Sequence, residues 1–215
     1  MQDDVVALFA YDRWANRKVL DACRKLTAEQ YVAEPVPGWS SVRSTIYHIA
    51  LATEFNLRTL GGGPEDSIPP EAALATVDDV AQLLERAYRR FEELRPTLTP
   101  EWLNTVLTLR AIGRSFTLPR WAILRHIGIH SAYHRGQVAS KLKRFGIEQE
   151  ITDFFWWVIE QVPQEASIAT VHGKAFALPP SALASVEIAV RSTVTPAICA
   201  LGLDSEERSE RMAGP

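Results

Sequence analysis

A chain of 215 residues, 47% hydrophobic and 23% charged, carries enough apolar surface to bury one real core, so a single domain with room for an appendage is the expected organisation. Its 23 basic and 26 acidic residues give a formal charge of −3, which offers no footprint for a nucleic-acid backbone or an anionic membrane and leaves a small molecule as the expected ligand. No run approaches the ~18 consecutive apolar residues of a membrane span. The acidic start Met1-Gln2-Asp3-Asp4 does not read as a secretion signal, and Cys23 and Cys199 read as free thiols, so a cytoplasmic protein is expected.

Proline and glycine clusters at 35–38, 61–64, 69–70 and 96–100 divide the first hundred residues into three helical segments. The first runs from Asp4 to about Leu26, with Phe9, Trp14, Val19, Leu20 and Cys23 on its apolar side. The second runs from about Ser41 to Leu60, with Ser40 as N-cap and the glycine triplet as its end. In the third, Val80, Leu83, Leu84, Ala87, Tyr88, Phe91 and Leu94 recur at three- and four-residue steps behind a Thr76/Asp79 cap. Between Trp102 and Pro119 the pattern predicts a short hairpin or extended loop around Gly113, forming a lid or lip. A fourth helix then starts at Pro119 and ends at Phe145, where Lys141, Lys143 and Arg144 suit the negative end of the dipole and Gly146 stops it. Asp153 to Gln161 predicts a short fifth helix, Ser181 to Leu203 is apolar without a clear period, and Asp204 to Pro215 is expected to be disordered. The fold class is therefore all-α: an antiparallel four-helix bundle over residues 1–161, with a partly disordered C-terminal extension over 162–215.

Three of the five histidines, His126, His130 and His134, are spaced by four on the fourth helix, each step advancing only ~40° around the axis. With Ile123, Ile127 and Val138 as the inward stripe, His130 and His134 fall within or beside it and His126 at its margin. Two imidazoles pointing at the core need partners, either neighbouring hydrogen-bonding groups or a shared metal ion. His48, midway along the second helix beside Ala52 and Phe55, is the remaining histidine of the bundle region, whereas His172 lies in the tail. Imidazole ligands suit zinc, nickel, copper or iron(II), and three of them leave a coordination position for water or substrate.

The string His126-x-x-x-His130-x-x-Tyr133-His134-Arg135-Gly136-Gln137 closely resembles the signature of the DinB/YfiT-like family. Tyr11-Asp12-Arg13-Trp14-Ala15-Asn16, His48 within Ile46-Tyr47-His48-Ile49-Ala50, and Thr152-Asp153-Phe154 resemble three further motifs of that family in the same order, over about Val5 to Glu160. The resemblance implies a four-helix bundle with metal ligands His48, His130 and His134, commonly filled by nickel or zinc, and a homodimer. It also implies that a low-molecular-weight thiol can serve as accompanying cofactor, while His126 matches a recurrent position that is not a ligand. The tail after Gln161 departs from the family pattern.

Around this site Trp14 reads as a packed core ring, and Asn16 as satisfying a buried group or a helix end. Gly136 reads as a point of close approach, Gln137 as a support for the ligands, Arg135 as structural, and Tyr133 as a proton donor or a packing ring. No residue is singled out as catalytic. Two functions remain: a metal-dependent enzyme, a thiol S-transferase or hydrolase acting on a small molecule, or a metal-binding stress or interaction protein without turnover.

Overall fold

The structure, a computed structural model, describes residues 2–62, 68–111, 113–161, 167–171 and 174–178. The chain divides into two compact units, 1–154 and 155–215. The first contains α1 (Gln2–Cys23), α2 (Ala28–Val32), α3 (Val42–Gly61), α4 (Val77–Leu94), α5 (Pro100–Asn104), β1 (Val106–Ala111), β2 (Arg114–Pro119) and α6 (Arg120–Arg144). Helix α7 (Phe154–Gln161) begins where the first unit ends, and the second unit adds the antiparallel pair β3 (Ser167–Val171) and β4 (Lys174–Leu178). The expected disordered end, the apolar stretch before it, His172 and Cys199 lie outside the described residues.

Local chemistry explains most boundaries. At α4 the Thr76 side chain accepts from the Asp79 amide while the Asp79 carboxylate accepts from the Thr76 amide, so two orphan donors are satisfied reciprocally. Helix α3 begins one residue later than expected: Ser41 is the N-cap, its hydroxyl accepting from the Ser44 amide at 3.0 Å. Ser40 is engaged elsewhere, accepting from Lys141 Nζ at 2.8 Å. Gly62, at φ +71°, ends α3 in the left-handed conformation that a residue without Cβ adopts at no steric cost. Helix α1 stops at Cys23, short of Leu26, and Thr27 opens the unanticipated α2 with a capping box of its own.

The four long helices form a square in which α1 meets α4 and α6, and α3 meets α4 and α6. Phe9 stacks on Phe91 and Arg24 pairs with Asp78, so α1 and α4 run antiparallel. Thr45 meets Lys141 while His48 meets His134 and His130, so α3 and α6 also run antiparallel. The other two pairs are parallel: Asp4 meets Arg125 and Asp12 meets Arg135 across α1 and α6, while Glu54 lies by Arg90 and Gly61 by Leu94 across α3 and α4. A parallel α3–α4 pair needs a connection that returns along about 30 Å of helix, and part of it is visible beside the first turns of α3. There Tyr47 donates to the Pro69 carbonyl at 3.0 Å and Arg43 pairs with Glu71 at 3.1 Å.

Two buried polar clusters sit inside this apolar frame. Asp12 and Arg135, 0% and 1% exposed, pair at 2.6 Å. Arg135 also donates to Asn16 Oδ1 and the Tyr11 hydroxyl, and Asn16 Nδ2 bonds Asp12, Tyr88 and Ser131. Tyr11 donates onward to the Thr152 carbonyl at 2.8 Å, so one network ties α1, α4 and α6 to the segment before α7. The second cluster is Glu54, fully buried, with Arg58, Arg86 and Arg90 each within 3.3 Å of one carboxylate oxygen.

Gly136 is exposed, and a Cβ there would meet nothing within 4 Å, which overturns its expected role as a point of close approach. That role belongs to Gly128, where a Cβ would lie 2.8 Å from Leu8 Cγ of α1.

Candidate metal centre

Helix α6 buries Leu124, Ile127, Gly128, Ser131, Arg135, Val138 and Leu142. At ~100° per residue His134 and His130 lie roughly 80° and 120° from the centre of that stripe, on the flank shared by Ile123 and Lys141. They are half-buried and His48 is exposed, so the imidazoles meet in the groove between α6 and α3 and not in the bundle's core, as the apolar stripe alone implied. Lys141 sets the register of the two helices. Its ammonium, 5% exposed as a residue, bonds Ser40 Oγ, the Ser41 carbonyl and Thr45 Oγ1 at the start of α3, one turn before His48. Lys141 is thus a buried inter-helix tie, in place of the helix-end charge expected of it, and burial lowers its pKa.

His130 Nε2 stands 3.2 Å from both His48 Nε2 and His134 Nε2, and the ligand atoms of the three rings all lie within 4.8 Å of one another. Nitrogens each ~2.0–2.1 Å from one ion in a tetrahedral set stand about 3.3 Å apart, so the spacing fits a shared metal. Hydrogen bonding alone serves the three rings poorly. His134 Nδ1 lies 2.7 Å from Gln137 Oε1, an acceptor, which places the proton on Nδ1 and leaves Nε2 as a lone pair. His130 Nε2 would then have to donate to His134 and to His48 with a single proton. One cation at the meeting point would satisfy all three nitrogens, and the Gln137 contact would then hold the His134 ring in the tautomer that offers Nε2 to it.

The electrostatics favour the neutral form of His130 and His48. Burial, then repulsion from His134, His126 and His48, pushes His130 down to about 4. Burial, then His134, also lowers His48. A neutral imidazole is the form that binds metal.

The structure brings His48, His130 and His134 together and keeps His126 out of the set, with its exposed ring centred 5.0 Å from that of His130. His126 instead lines, with His48 and His130, a cavity of about 700 Å³ between α3, α6 and the β1–β2 hairpin. Tyr133 is 67% exposed, its ring edge-on to His134 at 5.0 Å. Trp14 is half-buried, not a core ring, with the Lys18 ammonium 4.8 Å from its ring centre. Asn16 and Arg135 belong to the buried network, away from the groove. The apolar lining contributed by Leu51, Leu109, Phe116 and Leu118 was not foreseen residue by residue, although the alternation in 106–118 carried the signal.

Comparison with known proteins follows the same pattern. The family model described as the DinB family matches residues 1–165. Protein DinB of Bacillus subtilis (strain 168) is 22% identical over 162 residues, covering 72% of this chain and 93% of that protein. Among solved structures, a DinB-like protein from Bacillus cereus ATCC 10987 superposes with a TM-score of 0.54 at 21% identity, over 69% of this chain and 95% of its own. A conserved protein from Enterococcus faecalis superposes at 0.50 with 13% identity, over 64% and 94%. These likenesses support the all-helical bundle.

Proposed function

The chain belongs to the DinB family, and from that premise we propose that it is a metal-dependent enzyme holding one divalent transition metal, nickel or zinc, on His48, His130 and His134. The observation that carries this reading is the convergence of three Nε2 atoms on one point, with the lone pair of His134 aimed there by Gln137. Three imidazoles leave a position open, and the cavity of about 700 Å³ shares His48 and His130 with the triad. A bound metal supplies Lewis acidity that lowers the pKa of a thiol or of water. Of the two reactions, S-transfer from a low-molecular-weight thiol to a small molecule ranks ahead of hydrolysis. Among the described residues, none of the twelve lining the cavity carries a carboxylate to serve water as general base, whereas a thiolate needs none.

Elemental analysis tests the ligand set. About one metal per chain is expected, with His48→Ala, His130→Ala and His134→Ala each losing it and His126→Ala keeping it. Full retention by the His48 variant would remove that residue from the set. A metal-loaded protein whose rates with thiols and electrophiles, and with esters and amides, equal those of His134→Ala would favour the non-catalytic alternative. The same reading takes the protein as a cytoplasmic homodimer, and the outer side of α6, where Ile129 and Tyr133 are 65% and 67% exposed, offers apolar surface to a second copy. Sedimentation equilibrium checks this, and a monomer at high concentration would refute it.

A further inference from the structure

The β1–β2 hairpin is two-faced. In its register Leu107 opposes Leu118, Thr108 opposes Thr117 and Leu109 opposes Phe116, so alternation gathers four large apolar side chains on one face. Thr108 and Thr117, exposed and bonded to each other at 2.9 Å, mark the other. The apolar face covers the cavity beside the three histidines: Leu109, Phe116 and Leu118 form one wall, Leu51 and Phe55 of α3 a second, and Ile123 of α6 a third. Leu118 remains 39% exposed and Leu51 half-exposed, so this wall is not closed upon itself as a core would be. A concave space of about 700 Å³ bounded on three sides has the size of a small-molecule site, not of a protein docking surface.

We propose that this cavity holds the apolar body of the substrate while its donor group reaches the imidazoles, and that the hairpin's inner face sets how long or bulky that body can be. The inference rests on the metal reading and adds a substrate class to it: small molecules with a hydrocarbon portion of several carbons, in preference to compact polar ones. Ala52, one turn beyond His48 and half-exposed in the lining, is where a larger side chain would fill the space.

The test uses the full chain loaded with cobalt(II), with the thiolate-to-cobalt absorption band read during titration with 1-propanethiol and 1-hexanethiol. Their thiol acidities match, so a difference in affinity reports the chain alone. Three extra methylenes entering the cavity should make hexanethiol at least about tenfold tighter. In Ala52→Phe the space is filled and in Phe116→Ser a wall is lost, and the ratio should fall below about threefold in each. Cobalt bound with equal affinities for the two thiols, or a ratio untouched by both variants, overturns the inference. A second readout is independent of metal: in metal-free protein 1-hexanol should shift the methyl resonances of Leu51, Leu109 and Leu118, and should not do so in Ala52→Phe. A chain that takes no cobalt but gives these shifts sinks the metal reading and keeps the cavity. No cobalt and no shifts sink both.

Discussion

His130 sits where burial and three other imidazoles all oppose a positive charge, and its pKa falls to about 4 against ~6.5 for an unhindered ring. The unfolded chain therefore takes up a proton at this ring between about pH 6.5 and pH 4 that the folded, metal-free chain refuses. By linkage, stability is fully retained above that window and declines as pH falls through it. The melting temperature of metal-free protein should drop over this range more steeply than that of His130→Gln, and parallel curves would show that the ring has no such role. Gly136 makes the opposite point about burial. With open space where its Cβ would be and a helical backbone, Gly136→Ala should stabilise the fold by about 0.5–1 kcal/mol in urea unfolding, and destabilisation would mean that something packs there. Glycine's helix penalty is legible from residue type, but which glycine faces a neighbour is not. Only the approach of Leu8 distinguishes Gly128 from Gly136.

Among the elements, pairing of α1 with α6 turns on one buried ion pair. Removing a single partner leaves the other charge without compensation, so Asp12→Ala should cost roughly 3–5 kcal/mol in equilibrium unfolding. The double replacement Asp12→Leu with Arg135→Met should cost much less than the two single changes added together. A single-variant cost below about 1 kcal/mol would show that the pair is not carrying the contact. This network also explains why separated stretches of sequence form one pattern: Tyr11, Asp12 and Asn16 come from the first motif, Arg135 from the histidine motif and Thr152 from the last. The histidine ladder and the Thr76/Asp79 cap were legible because their signals are local, repeating at helical spacing or closing within one turn. Lys141 and Glu54 were not. Lys141 sits among basic residues at a helix end and reads as one of them until α3 arrives, and Glu54 shows only an i,i+4 arginine until α4 adds two more. The histidines' depth was misjudged for a related reason. A stripe drawn from three apolar residues fixes a direction only to within the flank, and the flank facing α3 is where the groove lies.

For the whole molecule, the question is how much of the chain the bundle needs. The four long helices, the hairpin, both buried polar clusters and all three proposed ligands precede Thr152, and the family match ends at residue 165. Tyr11 reaches the Thr152 carbonyl and stacks edge-on with Phe154 at 5.2 Å, so the segment entering α7 contributes to the first unit. A protein of residues 1–161 should therefore keep cooperative helical melting and about one metal per chain, because the four long helices, both buried polar clusters and all three proposed ligands are retained in it. Stopping at residue 150 should instead lower stability, since it strips the Tyr11 hydroxyl of its acceptor and uncovers one end of the Asp12–Arg135 network. Circular dichroism melts and elemental analysis of the two truncations decide between these outcomes. If residues 1–161 prove insoluble or metal-free while the full chain is neither, the second unit takes part in the bundle's stability, and the division of labour between the units has to be redrawn.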